Sequence, residues 1–89
     1  YKKPDQNEKK ALTALVVDLR NIKKDLKPEE IQTLVYSTGK NNGYEKKLRD
    51  WFKLIYQVLF GEIDGPRIGY FISYFGLQET IRLIEGKLK

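Results

Sequence analysis

The sequence predicts an all-α domain of about five short helices packed into a compact cage. Three observations predict it. Apolar residues recur at the i, i+3, i+4 spacing of one helical face in segment after segment. Pro and Gly stand between those segments, where helices start and stop. No stretch alternates apolar and polar residues as a half-buried strand does, and no repeat of solenoid period is present.

The first helix is expected over residues 5–25. Ala11, Leu12, Leu15, Val16, Leu19 and Ile22 share one face, and Asp5 after Pro4 is placed to cap the free amides. Lys9, Lys10, Arg20, Lys23 and Lys24 take the other side, as a solvated face or as phosphate contacts. The second helix opens at Lys27-Pro28-Glu29-Glu30, where Pro suits the first turn and the glutamates complement the helix dipole. Ile31, Leu34, Val35 and Thr38 form its stripe, and Gly39, Asn41, Asn42 and Gly43 are expected to stop it through left-handed conformations.

A third helix is expected over residues 44–60. Leu48, Trp51, Phe52, Ile55, Tyr56, Val58, Leu59 and Phe60 cover more than half its circumference, so it should sit centrally, with Lys46, Lys47, Arg49 and Lys53 on the remaining arc. Trp51 reads as core at this spacing, with base stacking the alternative. Gly61 ends the helix, and Glu62 to Pro66 form a tight loop. A fourth helix should run from Pro66 through residue 75 with Ile68, Phe71, Ile72 and Phe75 inward and Tyr70 and Tyr74 on an adjoining stripe. Gly76 stops it, and a fifth over residues 77–87 presents Leu77, Ile81, Leu83, Ile84 and Leu88.

Composition narrows the chemistry. The 89 residues contain no Met, and a domain excised from a longer protein, single over residues 1–89, is the expectation. The absence of Cys and His excludes, within this chain, disulfides, thiolate catalysis, a Ser-His-Asp triad and zinc on sulfur or imidazole. Neither a catalytic nor a metal-ligating constellation is present. The glycines do not follow the phosphate-loop order, and the loop carboxylates Glu62 and Asp64 have no pocket partner to make them an acid/base pair. No apolar run approaches the ~18 residues that span a bilayer. Seventeen Lys and Arg against twelve Asp and Glu give a net charge of +5, which favours polyanion partners, nucleic acid first and an anionic membrane surface second, with a merely solvated lysine-rich surface the alternative. Arg67, one residue past Pro66, is set against the positive end of a helix dipole and requires a partner. The candidates are a salt bridge to Asp64, Glu62 or a carboxylate on a neighbouring helix, or a phosphate or base edge of a nucleic acid.

Three segments carry a resemblance. They are Trp51-Phe52-Lys53-Leu54-Ile55-Tyr56-Gln57-Val58-Leu59-Phe60-Gly61-Glu62, then Gly65-Pro66-Arg67-Ile68-Gly69, then Phe71-Ile72-Ser73-Tyr74-Phe75-Gly76 with Thr80-Ile81-Arg82-Leu83-Ile84. With the upstream Ile31 to Tyr36 they resemble the C-terminal end of class I lysyl-tRNA synthetases across residues 28–84. That family implies a helical cage that binds the tRNA anticodon region, similar to the corresponding domain of glutamyl-tRNA synthetases. It implies a lysine-accepting tRNA as partner, with ATP used by the full-length enzyme and no cofactor in this part. The family's adenylate-forming signatures, HIGH and KMSKS, are absent from these residues. On this reading the domain is catalytically inactive by itself, monomeric and cytoplasmic. Lys40, Arg49, Lys53, Arg67 and Arg82 are the expected tRNA-binding residues. A glutamyl-tRNA synthetase domain and a basic helical protein-interaction module are the alternatives.

Overall fold

The all-α expectation holds. A computed structural model describes residues 5–22, 26–62 and 65–88. Its elements are α1 (Gln6–Arg20), α2 (Pro28–Gly39), a π-type turn (Lys40–Tyr44), α3 (Leu48–Phe60), α4 (Ile68–Phe75) and α5 (Leu77–Leu88), with no strand among the described residues.

Local chemistry sets the boundaries. Asp5 caps α1 as expected: its Oδ1 accepts the Glu8 amide at 2.8 Å while Glu8 Oε1 accepts the Asp5 amide at 2.8 Å. This reciprocal box satisfies two of the amides that a helix start leaves orphaned. The far end falls short of the expected residue 25. Asn21, at φ −84° and ψ 0°, closes α1, and the Ile22 amide reaches back only to the Leu19 carbonyl (3.3 Å). The tighter bond ends the regular ladder after Arg20.

The junction of α2 and α3 departs further from expectation. Gly39 is the last residue of α2 but not through a left-handed conformation: it is helical, at φ −63° and ψ −45°, and buried. The chain then passes through Lys40–Tyr44, where Asn42 and Gly43 leave helical geometry and Gly43 takes φ +96°. The third helix therefore begins at Leu48 rather than residue 44, after the Lys47 amide donates to the Tyr44 carbonyl at 3.0 Å. Gly39 is small for a packing reason. A Cβ there would lie 2.6 Å from Trp51 Cγ, overlapping the indole.

Trp51 is fully buried, and its Nε1–H donates to the Val35 carbonyl at 2.9 Å. The core reading of this residue stands. Around it gather Leu12, Leu15 and Leu19 of α1, Val35 of α2, Leu54, Ile55 and Val58 of α3, Ile68 and Ile72 of α4, and Ile81 and Ile84 of α5. Leu54 is a core member that the expected apolar arc omits. The most extensive seams are α2 on α4 and α1 on α5. Arg20 and Glu85 form an ion pair across the α1–α5 seam.

The fourth helix starts at Ile68, two residues later than expected, so Arg67 is the cap and Pro66 lies outside. Phe75 is not inward. It is 42% exposed and stacks on Phe71 with ring centroids 5.0 Å apart. An eight-residue helix has little more than two turns, too short to bury both ends of one stripe.

Candidate nucleic-acid interface

Arg67 shows how the structure disposes its charges. Its guanidinium lies over the Tyr70 ring, 5.4 Å from the centroid, one turn into α4. The Tyr70 hydroxyl donates to Glu29 Oε1 of α2 at 2.7 Å. That hydrogen bond is the first cause of two opposite shifts: the Glu29 carboxyl sits below its ordinary pKa and the Tyr70 phenol above its own. Lys27 and Arg67 add smaller attractions that lower Glu29 further. Among the described residues Arg67 makes no salt bridge, to Glu62 or to any other carboxylate. The Asp64 alternative lies outside them. Among the described residues the recorded neighbour of Arg67 is an aromatic face.

The seam beneath is tight. The Gly69 amide donates to Gln32 Oε1 at 2.7 Å. A Cβ on Gly69 would fall 2.6 Å from the Gln32 nitrogen and would also overlap the Pro28 carbonyl oxygen. The second glycine of Gly65-Pro66-Arg67-Ile68-Gly69 thus allows α4 to lie against the first turn of α2.

The five expected contact residues do not converge on one spot. Lys40 opens the π-type turn, directly after the last residue of α2, whereas Arg67 sits over Tyr70, which contacts the first turn of α2. Twelve residues of α2 separate these ends, roughly 18 Å along the axis. Arg49 and Lys53 are exposed and share one face of α3 at i, i+4 spacing. Arg82 is exposed on α5 and pairs with Glu79 at 3.1 Å, an exposed contact that holds it only weakly. Lys40, Arg49 and Lys53 thus belong to the half of the molecule built from the π-type turn and α3, while Arg67 and Arg82 lie on α4 and α5.

That first half contains two adjoining clefts that share Asn7, Tyr44 and Lys47. The first, about 390 Å³, adds Asp5, Glu8, Asp50 and Lys53, and is floored by Leu54 and Gln57. Three carboxylates there face two ammonium groups. The second, about 400 Å³, adds Lys10, Asn41, Asn42 and Gly43. It holds two ammonium groups, three side-chain amides and no carboxylate. Tyr44 divides them. Its ring packs against Trp51 with centroids 5.3 Å apart, and Lys47 Nζ stands 5.9 Å from its centroid. The Tyr44 phenol is pushed above its ordinary pKa, first by burial and then by the charges of Glu8, Asp5 and Asp50.

Sequence reasoning missed this pair of clefts. The signal was present in Asn41-Asn42-Gly43, which reads as a helix stop, but nothing in the sequence shows that α1 returns Asn7 and Lys10 to face it. Among the described residues no group of His, Cys, Asp and Glu could hold a metal ion, and no helix is long and apolar enough to cross a membrane.

Comparison with known proteins adds a relation over nearly the whole chain. Over 88 residues it is 42% identical to the lysine--tRNA ligase of Rickettsia felis and 42% identical to that of Rickettsia bellii. Identity to the lysine--tRNA ligase of Rickettsia massiliae is 41% over the same length. Each alignment covers 99% of this chain but 17% of the relative, so the chain spans about a sixth of the length of the curated relatives it matches. No family model matches the chain, and no solved structure matches it.

Proposed function

We propose that the chain is the anticodon-binding part of a class I lysine–tRNA ligase. The observation that carries the reading is the 42% identity to lysine--tRNA ligases across 99% of the chain. The all-helical architecture and the net charge of +5 are in keeping with it. In this reading the remainder of the longer protein activates lysine with ATP, and these helices hold the far end of a lysine-accepting tRNA. The partner is RNA, the setting the cytoplasm, and the working unit a monomer and a single domain.

The physics of the task suits the surface. Anticodon bases are single-stranded, so they can be unstacked and read at their edges. Phosphate contacts supply affinity and register and carry no sequence information. Lys40, Arg49, Lys53 and Arg67 are exposed cations of the kind such contacts use.

A second reading, a protein-docking module, has one observation in its favour. Tyr74 is 94% exposed and Phe75 42% exposed on the same short helix. Salt separates the two readings. Titrating a lysine tRNA anticodon stem-loop into the 89-residue chain should give binding whose log–log salt slope is roughly −0.7 per phosphate contact. The same preparation should show no lysine-dependent exchange of pyrophosphate into ATP. Failure to bind the stem-loop in low salt would overturn the proposal.

A further inference from the structure

We propose that the carboxylate-free cleft between α1 and the π-type turn seats one unstacked nucleotide of single-stranded RNA, its phosphate between Lys10 and Lys47 and its base edge against the side-chain amides. The inference rests on the RNA-binding reading above and assigns a place within it.

Chemistry selects this cleft over its neighbour. A nucleotide brings one negative charge and a flat edge of mixed donors and acceptors. Ammonium groups answer the first, and carboxamides, which carry both a donor and an acceptor, answer the second. The cleft lined by Asn7, Lys10, Asn41, Asn42, Tyr44 and Lys47 contains both kinds of group and no carboxylate among its lining residues. The adjoining cleft offers Asp5, Glu8 and Asp50, whose charges add to burial in raising the Tyr44 phenol. An anion entering there would meet the same field.

The walls are held in place before any ligand arrives. Asn42 donates its Nδ2–H to the Thr38 carbonyl at 2.7 Å, which fixes the amide and leaves Oδ1 without a hydrogen bond among the described residues. Thr38 is itself buried, with its hydroxyl 2.5 Å from Asp18 Oδ2 of α1, so the turn is tied to the helix across the cleft. Tyr44 is backed by the buried Trp51. Gly43, at φ +96°, gives the turn its bend, and a Cβ there would meet no atom within 4 Å, so that side of the turn is open. Pre-positioned walls spare a ligand the entropy of ordering them.

The test uses the 89-residue chain and a fluorescent lysine tRNA anticodon stem-loop. Lys9 and Lys10 are adjacent exposed cations, but only Lys10 lines the cleft. Lys10→Ala should weaken binding roughly tenfold, and Asn41→Ala, which removes no charge, by a similar factor, about what one lost phosphate or base-edge contact costs. Lys9→Ala should change it by less than about twofold, since screened, non-contacting charge contributes little. Equal losses in Lys9→Ala and Lys10→Ala with none in Asn41→Ala would reduce the cleft to general surface charge and overturn the inference. So would binding indifferent to all three, and either result would leave the RNA-binding reading intact. No binding by the unsubstituted chain would overturn both. Amide shifts of the unsubstituted protein, titrated with the same RNA, guard against a misfolded variant. They should centre on residues 41–44 and 7–10, and shifts confined to α4 would also overturn the inference.

Discussion

Gly69 and Gly43 mark two regions that use a missing side chain in opposite ways. Gly69 sits in the α2–α4 seam with ordinary helical backbone, and what it lacks is room: a Cβ would run into the backbone of α2. Gly43 sits on the open rim of the polar cleft with ample room, and what it requires is a positive φ. One glycine is there for packing and the other for chain direction. The seam is a close packing contact that gives stability, whereas the turn shapes an open, polar surface.

The largest effect expected on the packed side comes from its centre. Trp51→Ala should cost about 3–5 kcal/mol, the usual loss for a fully buried Trp, a large share of the ~5–15 kcal/mol that holds a small domain together. Urea unfolding followed by circular dichroism measures it. A loss under ~1 kcal/mol would mean that Trp51 is not the core of the structure.

The two glycines give the next test. Gly69→Ala should destabilise by about 1–3 kcal/mol through overpacking. Gly43→Ala should cost ~1–2 kcal/mol through backbone strain. Asparagine distinguishes the causes. It visits positive φ far more cheaply than alanine, so Gly43→Asn should recover most of the loss. Gly69→Asn, larger than Ala, should be worse than Gly69→Ala. The same rank order at both sites would erase the contrast.

The smallest effects lie at the solvent edge of the seam. Arg67→Ala should lower stability by ~0.5–1 kcal/mol, the worth of an exposed cation–π contact. Glu29, with its folded pKa depressed by the Tyr70 hydrogen bond, adds stability that is present above the ordinary carboxylate pKa of about 4.3 and lost as pH falls through the folded value. Tyr70, with its folded pKa raised by the same bond, adds stability that is present below about pH 10 and lost as pH rises through the folded value. Tyr70→Phe should therefore flatten the acid and alkaline edges of a stability–pH curve together. Both groups are solvent-exposed, so the change is small, and its presence on only one edge would contradict the shared hydrogen bond.

Much of the fold was legible because it is written locally. Pro28 with Glu29 and Glu30, Asp5 as a cap, and Gly61 and Gly76 as stops all act within a few residues of where they stand. The failures are tertiary. The smallness of Gly39 answers to Trp51, twelve residues on, and the ring that Arg67 covers has its hydroxyl held by α2, which no local pattern announces. Phe75 shares a stripe with Phe71, but the end of a short helix runs past the core. The candidate site suffered most. Residue type picked out exposed cations such as Lys40 and Lys53, yet a cleft is defined by which segments return to face one another. Asn7 and Lys10 meet Asn41 and Asn42 only after the chain has folded.

The position of Trp51 has an optical consequence. It is the one tryptophan in the chain, sealed from solvent and lodged beside Tyr44, whose ring walls the polar cleft. Its emission therefore comes from a single dry environment, so unfolding reads as one spectral shift without contributions to separate. A ligand that moves Tyr44 disturbs a ring packed against the only indole, and the protein thereby carries its own probe of occupancy.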